Sequence, residues 1–150
     1  MGNIWTRTLW GGITGVIAQD IIMAIGRAGG WVKLNLLASI AALLTNRSMS
    51  TTPSGMIVGF VVHLLIGAAW ALLFTAVVRA FHSRHNIIAG IINGLLIWLL
   101  WGLLLPPLGM GPRPWGVDTA TTLFTLAGTL AYGLIVGYAV SEQAQRIGAQ

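Results

Sequence analysis

Five polar side chains lie inside long apolar stretches of this sequence: Gln19, Asp20, His63, Asn93 and Thr129. A carboxylate and an imidazole can share a proton, pair as ions or hold a ligand, and amides and hydroxyls can bridge helices. Such groups are costly in hydrocarbon and need partners. At 1.5 Å rise per residue, Asp20 falls roughly 7–8 Å inside the end of the first apolar run, and His63 roughly 10 Å inside the start of the second. Antiparallel neighbours would place both at one depth, which predicts an Asp20–His63 hydrogen bond or ion pair. Two alternatives stay open for Asp20: reaching the interface near Arg27 and Lys33, or a proton-transfer or ligand role. Asn93 lies toward the opposite leaflet, where it reads as glue between helices.

Gly59 precedes His63 by one helical turn. A flat macrocycle could lie over the missing side chain with His63 as axial ligand. That small-x-x-x-His arrangement resembles bacterial light-harvesting polypeptides and would imply bacteriochlorophyll or haem. No second intramembrane His is present to make a bis-His haem. His82-x-x-His85 has no Asp, Glu or Cys beside it, so it reads as a solvated loop and no metal site is expected. Neither a phosphate-binding loop nor a nucleophile constellation occurs, so no enzyme is expected.

The elements that must position these groups follow from composition. The 150 residues include 8 Lys+Arg and 3 Asp+Glu, 7% charged against about 25% in a soluble domain. Hydrophobic residues make up 56% and mean hydropathy is +0.84. So few charges cannot cover a water-soluble monomer. The absence of Cys excludes disulfide staples and thiolate sites. The cations are scattered singly, which argues against nucleic acid. Only Asp20 puts a charge inside a predicted span.

Four runs are long enough to cross a bilayer as helices: Leu9–Ile25, Met56–Val78, Ile87–Leu105 and Thr119–Val140. The reading is therefore an all-α, polytopic membrane protein with one transmembrane domain. Thr52, Asn86 and Asp118 are predicted caps, with Pro53 in a first turn. The stretch Leu34–Thr45 is too short to span and reads as an interfacial or re-entrant helix. Trp5, Trp10, Trp31 and Trp115 read as interface anchors. Arg7, Arg79, Arg84 and Arg146 fall on one side, and Arg27, Lys33, Arg47 and Arg113 on the other. The terminal amine, His82 and His85 tip both termini to the cytoplasm.

Internal symmetry is visible. Gly55, Gly59, His63, Gly67 and Ala71 are spaced by four, as are Thr121, Thr125, Thr129, Gly133 and Gly137, and a shift of 66 superposes the two ladders. The first and third spans begin alike, with Gly11-x-x-x-Gly15 and Gly90-x-x-x-Gly94. This predicts two repeated helical hairpins related by an axis along the membrane normal. Small residues on one face permit close backbone approach, so spans two and four are expected to cross at the centre.

Together these features resemble a domain-of-unknown-function family of small, four-helix bacterial inner-membrane proteins. The resemblance is carried by Gly11–Met23, Leu34–Leu44, and Gly59-x-x-x-His63-x-x-x-Gly67 with Trp70-Ala71-Leu72-Leu73-Phe74. It continues through Gly90/Gly94 with Trp98, Pro107-Leu108-Gly109-Met110-Gly111, and Tyr132-Gly133-x-x-x-Gly137-Tyr138. It implies a compact helical bundle without an assigned activity, whose fourth span often carries a His where this chain has Thr129. Short loops and small-residue ladders point first to a non-catalytic scaffold or accessory subunit, with the bilayer and other subunits or itself as partners. An oligomeric transporter or channel with a polar path at Gln19, Asp20 and His63 is the alternative, and a pigment- or haem-binding subunit the third.

Overall fold

A computed structural model of the chain describes residues 3–81, 85–104, 106–109 and 112–147, with side chains up to 141. Its elements are α1 (Ile4–Ala28), α2 (Leu36–Ala41), α3 (Arg47–Ser50), α4 (Pro53–Ala80), α5 (Asn86–Leu104) and α6 (Thr119–Ile147), with 3₁₀ turns at Pro106–Leu108 and Pro114–Gly116. No strand occurs among the described residues. Four helices, α1, α4, α5 and α6, are long and apolar enough to cross a membrane. Their helical hydrogen bonding runs past the apolar runs into the polar flanks, so α1, α4 and α6 exceed the predicted spans. Leu105, the predicted end of the third, lies outside the described residues.

Local chemistry sets the helix starts. Thr52 Oγ1 accepts the Gly55 N–H at 3.1 Å, and Pro53 opens α4. Asp118 Oδ1 accepts the Thr121 N–H at 2.7 Å at the start of α6. Asn86 does not cap. It is the first residue of α5, buried, because α6 presses on it: a Cβ on Gly137 would stand 2.6 Å from the Asn86 carbonyl.

The expected crossing of spans two and four does not form the centre. Instead α1 lies between α4 and α6, and α6 between α1 and α5. Glycines on two sides of α1 explain this. A Cβ on Gly12 would stand 2.8 Å from Ala71 Cβ and from the Gly67 carbonyl of α4. Cβ atoms on Gly11 and Gly15 would stand 2.8 Å from Ala139 and Tyr132 of α6. One helix thus admits a neighbour on each side with no side chain of its own in the way.

The duplicated hairpin is present with a changed equivalence. Gly12 meets Gly67 and Ala71, while Gly90 meets Gly133 and Gly137. The shift of 66 carries Gly67 and Ala71 onto Gly133 and Gly137, so Gly12, not Gly11, is the counterpart of Gly90. Gly94 continues that face against the Thr129 backbone.

Gly55 and Gly59 serve another contact. They face the carbonyls of Met49 and Leu37, so the segment carrying α2 and α3 packs onto α4. Within it, Ala38, Ile40, Ala41 and Ser50 are buried. This segment forms a layer against the bundle, and its helix is shorter than predicted. α4 and α5 barely touch, and the gap between them holds the site.

Candidate functional site: an intramembrane cavity beside a carboxylate–imidazole pair

His63 Nδ1 lies 3.0 Å from Asp20 Oδ1, and both side chains are close to nine-tenths buried. The pairing agrees with the common depth expected from the sequence. Asp20 stands eight residues from the end of α1, and His63 ten residues from the start of α4. That is about 12 and about 15 Å along the helix axes from those two ends, so antiparallel α1 and α4 bring the two side chains to one level. Asp20 thus turns to His63, while Lys33 lies beside Asp118.

The carboxylate selects the imidazole tautomer with its proton on Nδ1 and fixes the ring. Nε2 then accepts when the ring is neutral and donates when it is charged. Asp20 Oδ2 is buried and has no hydrogen-bond partner. A buried polar oxygen of this kind is rare and costly, so this pair departs from a fully satisfied structural bridge.

His63 lines a cavity of about 90 Å³ walled by α1, α2, α4, α5 and α6. Gln19, Ser39, Thr125 and Thr129 add polar atoms to a largely apolar lining. Thr129 directs its hydroxyl to its own helix, with the Leu126 carbonyl accepting at 3.0 Å. Asn93 lies outside this wall: its Oδ1 accepts the Trp70 indole N–H at 3.1 Å, and its Nδ2 is buried without a partner. It is interhelical, as predicted, joining α4 to α5.

Aromatic side chains complete the wall: Trp70, Trp98, Trp101 and Tyr132. The Trp98 indole donates to Thr125 Oγ1 at 3.0 Å and packs 4.9 Å from the Trp115 ring. Tyr132 OH donates to the Gly67 carbonyl at 2.6 Å. Sequence reading passed over these four as site residues. The available signal was their position: aromatics with polar tips deep in a span, away from the interfaces, need an internal partner. Of the predicted anchors, Trp10 and Trp31 are more than half exposed. Trp115 packs on Trp98 as part of the wall's support.

The macrocycle site expected at Gly59 and His63 has no flat face. The Leu37 carbonyl fills the space over Gly59. The cavity is also under a third of the roughly 300 Å³ at which ordinary ligand pockets begin. A slender molecule fits it and a porphyrin does not. No group of three or more His, Cys, Asp or Glu that could hold a metal occurs among the described residues. His82 lies outside them.

At the end of the bundle where α1 stops and α4 starts, Asp118 lies 3.7 Å from Lys33 Nζ. Its carboxyl is held below its ordinary 3.8, chiefly by the Thr121 N–H. Burial opposes this, and the Thr121 hydroxyl and Lys33 add to it.

A family of unknown function (DUF6789) matches residues 3–148. The chain belongs to that family. No curated protein and no solved structure matches it. The DUF6789 assignment agrees with the resemblance seen in the sequence and brings no activity with it.

Proposed function

We propose that this is a non-catalytic membrane protein of the transporter class, which takes a slender, mostly apolar molecule into the bundle and engages its polar group at His63. One observation carries the reading: an imidazole fixed by a carboxylate, within helices long and apolar enough to cross a membrane, lines a cavity. Intramembrane ionisable groups that face an internal cavity mark ligand or proton paths. Four spans enclose little space, so passage across the membrane would require an oligomer. The scaffold or accessory-subunit reading drew on the glycine ladders. Those ladders pack inside the chain, so they no longer argue for a partner subunit. With the proposal goes a bacterial inner membrane, both termini cytoplasmic.

The test is photolabelling with decanol carrying a mid-chain diazirine. Labels on Ile97 and Trp101, lost in Ser39→Phe and weakened in His63→Ala, are expected. Labels confined to the lipid-facing Leu99 and Leu103 would overturn the proposal.

A further inference from the structure

A second recess lies beside the cavity, at the end of the bundle where α1 stops and α4 starts. It holds about 350 Å³ and is bordered by Lys33 and Arg47, while the hydroxyls of Ser39, Ser50 and Thr51 along it donate to the carbonyls of Asn35, Arg47 and Ser48. Leu34, Ser39 and Pro112 border both spaces, so one layer of side chains forms a shared wall. The two spaces differ in chemistry. The inner one is narrow, aromatic and apolar, while the outer one is wide and carries two cations.

The cations are only partly committed. Arg47 gives one of its N–H groups to the Gly109 carbonyl at 3.1 Å, and a guanidinium carries five. Gly109 presents that carbonyl from a left-handed turn, φ 71°, which glycine adopts without strain. Lys33 Nζ holds Asp118 at the loose distance of 3.7 Å, with a side chain 71% exposed. An incoming anion can therefore recruit both cations while Asp118 keeps its hydrogen bonds to Thr121.

From this juxtaposition we infer that the ligand is an anionic amphiphile, a single-chain phosphate ester or a lipid with an exposed phosphate. Its headgroup occupies the Lys33–Arg47 recess, and its chain passes the Leu34–Ser39–Pro112 wall toward His63. The recess supplies an ammonium and a guanidinium suited to an oxyanion. The cavity supplies a slot too small for a bulky body and sufficient for an alkyl chain. The inference rests on the cavity reading above and adds the head to it.

The experiment compares two diazirine probes of one chain length, decyl phosphate and decanol, on the purified full chain. Decyl phosphate is expected to label Ile97 and Trp101 at about tenfold lower concentration, a 1.4 kcal/mol preference. Lys33→Gln with Arg47→Gln, both exposed positions, should abolish the preference and leave decanol labelling unchanged. Equal labelling by both probes overturns the headgroup site and leaves the cavity reading standing. Absence of cavity labelling by either probe removes the cavity reading and this inference with it. Inorganic phosphate that competes as well as unlabelled decyl phosphate identifies free phosphate as the ligand, which also overturns the amphiphile.

Discussion

The two hairpins, α1 with α4 and α5 with α6, share a backbone and differ in chemistry. In each, a glycine of the leading helix seats on a small-residue pair of the following one. In each, the following helix starts at a capped residue, Thr52 or Asp118, and these two are related by the same shift of 66. Deeper in the membrane the copies diverge. The shift carries His63 onto Thr129, whose hydroxyl bonds its own helix. Gly12 and Gly90 stand 78 apart, and that offset carries Asp20 onto Trp98, whose indole bonds Thr125. Each hairpin thus has one polar link between its helices at this level, ionisable in the first and neutral in the second. Glycines fix how the helices cross, and the crossing leaves the deep polar position free to become a structural bond or a reactive pair.

Cutting both links separates the hairpins by the largest margin. His63→Ala strands the buried Asp20 carboxylate, and losing one partner of a buried pair costs about 3–5 kcal/mol. Trp98→Phe removes one neutral hydrogen bond, worth about 1 kcal/mol, and Thr125 keeps its bond to the Thr121 carbonyl. Unfolding in mixed micelles should rank them in that order. Combining Asp20→Asn with His63→Ala should recover much of the loss. If the two single variants cost the same, the first hairpin holds no special pair.

The glycine seats come next in size. A Cβ on Gly90 would run into the Gly133 carbonyl and stand 2.8 Å from Gly137 Cα, all backbone. On Gly12 the first obstacle is a side chain, Ala71 Cβ at 2.8 Å, with the Gly67 carbonyl equally near. Overpacking of this kind costs about 1–3 kcal/mol. Gly90→Ala belongs at the top of that range. Gly12→Ala should be milder, and Ala71→Gly should partly rescue it. A full rescue, or a harmless Gly90→Ala, would show that the two seats are not built alike.

What the sequence discloses divides along the same line. Span positions follow from hydropathy alone, and the Asp20–His63 pair follows from counting rises along antiparallel helices, because depth is a one-dimensional quantity. Which helix faces which is not one-dimensional. Gly11, Gly12 and Gly15 look like one small face along the sequence, yet they serve two neighbours, and that places α1 between α4 and α6. The cavity was illegible for the same reason: it is bounded by five separate segments, and Trp70, Trp98, Trp101 and Tyr132 converge only once those segments are placed. Its inner wall also depends on α2, which turns back onto Gly59 through a carbonyl contact that no side-chain pattern encodes.

The smallest effect separates the two caps. Thr52 does not titrate in the acid range, whereas Asp118 does. Its folded pKa lies below its unfolded value, chiefly through the Thr121 N–H. The carboxylate therefore stabilises the start of α6 above about pH 4, and that contribution disappears as pH falls through the lowered folded value. Replacing Asp118→Thr copies the cap of the first hairpin onto the second. The stability difference between the native chain and this variant should shrink on going from about pH 6 to about pH 3, while Thr52→Ala should cost the same at both. Because Asp118 is the group that answers Lys33, a difference that instead stays constant with pH would mean that the hydroxyl of Thr121 and the geometry of the turn, not the charge, hold α6 at its start. The two hairpins would then be equivalent at their caps as well as at their glycines, leaving the deep Asp20–His63 level as the place where they part.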